Sequence, residues 1–331
     1  MIKGKELSLK IGSLSFKYGL FLAPMAGVTD RAYRNICRRH GAEMTVTEMV
    51  SAKALHYNDD SSLLLGSLRE NEVNTALQIF GHEEEIMVEA VKKLTAKREG
   101  FIPPICIDVN MGCPMKKIVN NGDGSALMKD PDRVAKIVRA LRDSTDMPLT
   151  VKIRCGWDST SINAPLIAKI AEENGADALC IHGRTREMMY CPEVLLDVIA
   201  DVKRSVNIPV IGNGGINSSD DALKMLSRTG CDGIMLARGT MGNPWLFEQI
   251  KAAIDNRQYV LPDLDVRLNE ALTQVREMIE DKGERTGVLE ARRQLAYYIK
   301  NVNGSSEARG RLNNAKSYDE LVDIVSKFIK K

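Results

Sequence analysis

The stretch Asp108-Val-Asn-Met-Gly-Cys-Pro114 sets a thiol where a strand has to stop. The apolar run Ile105-Cys-Ile107 ahead of it reads as a buried strand. Gly112 then permits a tight turn, and Pro114 cannot donate to a ladder. A thiol on such a turn stands at the end of a sheet, where α/β proteins keep their chemistry. From this stretch alone, Cys113 reads equally well as a small buried apolar residue, which is what most free cysteines are.

Other residues able to hold or transform a ligand stand just as regularly in or after apolar runs. Pro24-Met-Ala-Gly27 is a rigid, small-residue turn on which a flat ligand can lie close to the backbone. Gln78, Lys152 and His182 sit in three further runs, where polar side chains would be costly in a sealed core. Gly212-Asn213-Gly214-Gly215 offers backbone N–H groups to a phosphate, and Ala237-Arg238 adds a cation for a charge-assisted bond. Taken singly, each has a plain structural reading: a turn, a snorkelling lysine, a satisfied core histidine. Their convergence points to a flat, polar, phosphate-bearing ligand.

The elements that must position these residues repeat one rhythm eight times over residues 1–245: a short apolar run, a turn, then usually an amphipathic helix. The runs are 20–24, 44–47, 75–80, 105–109, 149–153, 178–182, 209–212 and 233–237. Strands alternating with helices imply parallel pairing. Asp130-Pro131 supplies an N-cap and a proline at N1, with Val134, Ile137, Val138 and Leu141 on one face. Helices over 31–40, 83–98 and 219–229 are expected, the first and last stopped by Gly41 and Gly230. The fold class is therefore α/β, a closed (β/α)8 TIM barrel over 1–248, then a connector at 249–264 and a small all-helical domain over 265–331. An open doubly wound sheet would want a glycine-rich fingerprint after its first strand, and Pro24-Met-Ala-Gly27 is not one. In the helical domain the apolar positions are Leu268, Leu272, Val275 and Ile279, then Leu289, Ala296 and Ile299, then Leu321, Ile324, Val325 and Phe328.

Composition narrows the function classes. Apolar content of 44% and charged content of 27% are those of a soluble globular chain, and the N-terminal Met1-Ile-Lys-Gly-Lys-Glu-Leu7 lacks a signal peptide's apolar core. A cytoplasmic, monomeric protein without membrane contact is expected. The seven cysteines form no CxxC pair, so neither a metal site nor a disulfide framework is expected, and Cys106 and Cys180 read as core. A net charge of +2 does not argue for nucleic acid globally. Between Arg285 and Lys316, however, seven basic residues face two acidic ones, a local net +5 that suits a phosphate surface or equally a solvated helix face.

The motifs Ala23-Pro-Met-Ala-Gly-Val-Thr-Asp30, Asn110-Met-Gly-Cys-Pro114, Thr150-Val-Lys-Ile-Arg154, His182-Gly-Arg-Thr-Arg186, Gly212-Asn-Gly214 and Gly242-Asn-Pro-Trp245 resemble, in order and spacing, the signature set of the tRNA-dihydrouridine synthases, in particular the bacterial B-type branch. The resemblance runs from about residue 20 to 315. It implies an FMN-dependent barrel that reduces the C5–C6 bond of uridines in tRNA, NADPH as reductant and a helical tRNA-binding domain. It implies Cys113 as proton donor. Pro24, Met25 and Ala26 would pack on the flavin, with Gln78 and Lys152 at its ring edge and His182 in the same site. Asn213, Gly214, Gly215, Ala237 and Arg238 would hold its phosphate end. Arg184 and Arg186, with Lys116 and Lys117, are candidates for RNA contact on the barrel. Arg292, Arg293, Lys300, Arg309 and Arg311 are the candidates on the helical domain.

Some positions depart from that pattern. Cys191-Pro-Glu-Val-Leu-Leu-Asp197 stands where the family usually carries Ser-Gly and then a tryptophan, and Gly215 stands where Asp is common. Two other readings remain: an FMN barrel acting on a free pyrimidine, which would need no basic helical tail, and an RNA-binding protein without catalysis, which would need neither Cys113 nor Lys152.

Overall fold

The computed structural model describes residues 8–329. The N-terminal segment 1–7, where the absence of a signal sequence was expected, and the last two residues of the expected helical domain lie outside these. Eight parallel strands close on themselves: Leu20–Leu22 (β1), Met44–Val46 (β2), Thr75–Phe80 (β3), Ile107–Met111 (β4), Leu149–Arg154 (β5), Ala178–His182 (β6), Val210–Asn213 (β7) and Gly233–Leu236 (β8). Each pairs with its sequence neighbours, and β1 pairs with β8 to complete the ring. Every strand falls within two or three residues of its expected run, because the runs are apolar on the face that meets the helices. That outer layer holds Leu77, Ile107, Val109, Val151, Ile153, Leu179 and Ile181, all fully buried.

The inward face carries the alternate residues, as period-two geometry requires. Its lower layer is apolar, with Phe21, Met44, Ala76, Cys106, Ala178, Cys180 and Ile211 in one cluster. The sequence reading missed the plug beneath them. A short antiparallel hairpin, Leu9–Ile11 with Leu14–Phe16, closes the amino-terminal end, and Phe16 meets Phe21 edge-on at 4.9 Å. Toward the carboxyl rim the inward residues turn polar. Gln78 stands opposite Asp108, Asp108 opposite Thr150, Asn110 opposite Lys152, and Arg154 opposite His182. The barrel is thus apolar and sealed at one end and polar at the other.

Local signals account for the helices. Asp130 accepts from the Arg133 N–H with Pro131 at the helix start, and Val134, Ile137, Val138 and Leu141 are all fully buried. Gly230 ends helix Ser219–Thr229 in the left-handed conformation at φ 68°. The expected connector differs: residues 249–254 continue a helix, Leu246–Ile254, whose Phe247, Ile250 and Ile254 face the barrel core.

Helices Leu264–Lys282 and Glu284–Tyr298 then form a hairpin through Gly283. They approach so closely that a Cβ on Gly287 would lie 2.9 Å from the Ile279 backbone. The second helix buries Val288, Ala291, Leu295 and Tyr298, leaving Leu289 58% exposed, contrary to the sequence expectation. The buried set is an equally good helical stripe, and Gly287 and Tyr298 decide between the two by fitting against the first helix. The hairpin docks on helix Arg31–Arg39 through Arg31–Asp281 at 3.0 Å and Arg39–Glu277 at 2.6 Å. Among the described residues, no helix is long and apolar enough to cross a membrane.

Candidate active site

A cavity of about 660 Å³ opens at the carboxyl rim of the barrel. Pro24, Met25, Ala26, Gln78, Cys113, Lys152, His182, Asn213, Gly214, Gly215, Ala237 and Arg238, all nominated from the sequence, line it together. Among the described residues, no Asp or Glu side chain does. Lys152, Arg154, Arg184, Arg238 and Arg293 do, so the cavity is electropositive and suits an anionic ligand.

The turn bearing Cys113 is held from several sides. Asn110 Oδ1 accepts from the N–H groups of Gly112 (3.1 Å) and Cys113 (2.9 Å). The Cys113 carbonyl accepts from the Ser125 N–H at 3.0 Å and the Ser125 hydroxyl at 2.9 Å. Arg154 Nε donates to the Gly112 carbonyl at 2.7 Å. Gly124, at φ +60°, has to be glycine, since a Cβ would come within 2.8 Å of the Cys113 oxygen. Burial pushes the Cys113 thiol up, while Arg154 and Lys152 pull partly against it. The sulfur therefore keeps its proton at neutral pH.

His182 is driven well below its ordinary value by burial and then by Lys152, Arg154, Arg184 and Arg238. The imidazole is thus neutral, and its Nε2, 2.8 Å from Arg184 Nη1, accepts that donor, which leaves the proton on Nδ1. Lys152 Nζ donates to Asn213 Oδ1 at 3.2 Å, and Asn213 in turn donates to the Met235 carbonyl at 2.7 Å.

The glycines after β7 leave room by necessity. A Cβ on Gly214 would lie 3.0 Å from both His182 and Arg184, and one on Gly215 would lie 2.8 Å from Val194 Cγ2. Both also have positive φ, 118° and 70°. The two departures in the sequence are therefore one event in space: Val194, from the divergent loop 191–197, occupies the room that a side chain at position 215 would need.

Two nominated RNA contacts turn inward instead. Arg184, 2% exposed, donates to the Cys191 carbonyl at 2.7 Å and the Pro192 carbonyl at 3.2 Å, so it braces the divergent loop. Arg292 donates to the carbonyls of Asn313 and Ala315 at 2.9 Å each, tying two segments of the helical unit together. A guanidinium spent on backbone carbonyls is not free for phosphate. Arg186 lies over the Trp157 ring at 4.7 Å, with Lys129 over the same ring at 4.0 Å. Lys300 and Arg309 are exposed on the helical unit and Arg311 is half-buried there, all away from the cavity.

Asn110 and Arg154 were not among the site residues expected from the sequence, although Arg154 alternates with Lys152 on its strand and Asn110 stands three residues before Cys113. Sequence reasoning also missed that helix Glu284–Tyr298 sends Arg293 and Tyr297 into the cavity wall. Only the docking of the helical unit on the barrel creates that relationship.

A parallel barrel sealed at one end, with a cationic cavity at its carboxyl rim, is a (β/α)8 barrel whose open end suits an anionic ligand. Histamine dehydrogenase from Rhizobium sp. 4-9 shares the fold at a TM-score of 0.57 and 13% identity. The match covers 81% of this chain and about half, 50%, of that one. The profile of the dihydrouridine synthase family matches residues 21–331. tRNA-dihydrouridine synthase B of Pasteurella multocida is 39% identical, over 92% of this chain and 91% of its own. The B-type enzyme of Pseudomonas aeruginosa is 36% identical, over 97% of this chain and 95% of its own. The chain belongs to the dihydrouridine synthase family.

Proposed function

We propose that the protein is a tRNA-dihydrouridine synthase that reduces the C5–C6 bond of uridines in tRNA, with FMN as cofactor and NADPH as reductant. The observation that carries this reading is the Cys113 thiol in the lining of a cationic cavity whose described lining holds no carboxylate. The residues present fit FMN. The Gly214 cradle, which a Cβ would fill, and Arg238 suit its phosphate end, together with His182, Asn213, Gly215 and Ala237. Pro24, Met25 and Ala26 offer an uncharged wall for the ring, and Gln78 and Lys152 offer polar atoms for its edge.

When bound and reduced, FMN supplies the hydride for C6 of the pyrimidine. Cys113 holds the matching proton at Sγ and delivers it to C5, where negative charge builds. A thiol raised by burial is fully protonated at neutral pH and so serves as an acid where an ordinary carboxylate could not. Lys152 and Arg154, fixed beside it, stabilise that charge. The target base must leave its stack to enter the cavity, and Tyr297, 38% exposed at the wall, offers an aromatic edge beside its path.

RNA contact falls to Arg186, Arg293, Lys300, Arg309 and Arg311, with Lys116 and Lys117 at the loop after β4. The test is Cys113→Ala. The variant is expected to purify yellow with bound FMN and to form no dihydrouridine in tRNA, read by nucleoside mass spectrometry. Full activity would reject the acid role, and a colourless wild-type protein would reject the cofactor.

A further inference from the structure

Asp108 lies inside the barrel beneath the Cys113 turn, 2% exposed, and takes no part in the chemistry above. Its Oδ1 accepts from Thr150 Oγ1 at 2.6 Å and its Oδ2 from Gln78 Nε2 at 2.6 Å. The other end of Gln78 accepts from Asn110 Nδ2 at 2.8 Å, and Asn110 Oδ1 faces the N–H groups of Gly112 and Cys113. Each link has a direction. An ionised carboxylate only accepts, so Gln78 must turn its amino end toward it and its oxygen toward Asn110. Asn110 must then turn its amino end toward Gln78 and its oxygen toward the thiol's turn. A carboxamide can flip with little change of shape, so only partners of fixed polarity hold such a series in one sense: here the carboxylate at one end and the Gly112 and Cys113 N–H groups at the other. One flip, in a region this buried, would set like ends against each other.

We propose that Asp108 is the positioning residue for Cys113: as an obligate acceptor it fixes the orientation of two carboxamides in series, Gln78 then Asn110, and so holds the turn that carries the thiol. The proposal rests on the reading of Cys113 as the proton donor.

Isosteric substitutions test it without opening a cavity. In Asp108→Asn the introduced amide still accepts from Gln78, because its amino group donates to the Thr150 hydroxyl, which can accept. In Thr150→Val the carboxylate remains. Each single change therefore keeps the direction. Combined, they leave the introduced amino group without an acceptor beside residue 150. Either that amino group stays unpaired in a buried site, or it turns to donate toward Gln78 and both carboxamides reverse against the Gly112 and Cys113 N–H groups; both outcomes strain the turn.

Each single variant is expected to keep kcat for tRNA reduction within about threefold of wild type. The double variant should lose at least about tenfold in kcat, with KM for tRNA within about twofold. Iodoacetamide alkylation of Cys113, mapped by mass spectrometry, should accelerate at least about fivefold in the double variant alone. Asp108→Leu, which removes the acceptor outright, should reproduce the double variant's pattern. A double variant whose kcat is the product of the two single effects, unchanged Cys113 alkylation, or an Asp108→Leu enzyme as active as wild type would each overturn the proposal. Cys113→Ala in the same assay separates the two readings. If it is fully active the acid role fails. If it is inactive while the double variant is additive, only the positioning role fails.

Discussion

Arg293 Nη2 donates to the carbonyl oxygen of Gly27 across 3.0 Å, which fastens the helical unit to the loop after β1. The same loop is held again at Asp30, which takes Lys282 Nζ at 2.6 Å, and at the Gly27 N–H, which donates to Glu48 at 2.6 Å. The helical unit is therefore a wall of the cavity as well as a neighbour of the barrel. Pro24 to Ala26, where the ring of a flat cofactor is expected to lie, are kept in place partly by residues more than two hundred positions away.

This arrangement separates two adjacent arginines that the sequence could only pair. Arg293 is exposed at the cavity mouth, whereas Arg292 is spent on the carbonyls of Asn313 and Ala315. Arg293→Glu puts a carboxylate into a cavity lining that has none among the described residues. It is expected to raise KM for tRNA by about tenfold, with less effect at high salt, while bound FMN stays near wild type. Arg292→Ala is expected instead to lower the melting temperature by several degrees, through loss of about 1–3 kcal/mol of hydrogen bonds, with little salt dependence. Thermal melts and tRNA titrations at two salt concentrations read both. Equal effects of the two changes on tRNA affinity would defeat the distinction.

The loop after β8 gives a second expectation. A Cβ on Gly239 would lie 2.2 Å from the Ile216 carbonyl oxygen and 3.0 Å from the Asn217 Cα, both backbone atoms of the loop after β7. No rotamer change relieves a backbone clash. Gly239→Ala must therefore push apart the two loops that carry Gly214, Gly215 and Arg238. The expected cost is on the order of 2 kcal/mol or more in stability, with FMN content falling below half of wild type. Absorbance at the flavin band per mole of protein checks it, and a fully yellow, equally stable variant would show that the loops can yield.

How much of this was legible in the sequence depends on the range of the force that decides it. The strands were readable because each carries its own apolar face. The Asp130-Pro131 helix start was readable because a cap acts within one turn. The cavity residues could be gathered because a barrel brings every strand end to one rim. The hairpin of Leu9–Ile11 with Leu14–Phe16 was not readable, since its apolar residues have no partners until the barrel floor exists. The Leu289 face failed because two stripes of that helix are similarly apolar, and only Gly287 against Ile279 selects one. Arg184 and Arg292 failed for a common reason: a charged residue in a basic stretch looks free until the carbonyls it binds are placed.

Asp108 supplies a pH dependence whose sign can be worked out. Burial raises its carboxyl from 3.8 to about 6, against the pull of the Thr150 and Gln78 hydrogen bonds and of Lys152. Below about 3.8 the group is protonated in both folded and unfolded chains, and above about 6 it is ionised in both. Between those values the folded chain keeps a proton that the unfolded chain has released. Stability contributed by this group is therefore full at the acid end and is lost as pH rises through that window. At neutral pH the loss is up to about 3 kcal/mol, from two pKa units at 1.36 kcal/mol each. Asp108→Asn removes the titration and keeps the shape. The stability of that variant relative to wild type is thus expected to rise between pH 4 and pH 7 and then level off, which urea unfolding at matched ionic strength would measure. Other titrating groups cancel in the difference, since they are common to both proteins. A difference that stays constant across that range would mean that Asp108 is ionised throughout, and that the hydrogen bonds from Thr150 and Gln78 outweigh its burial.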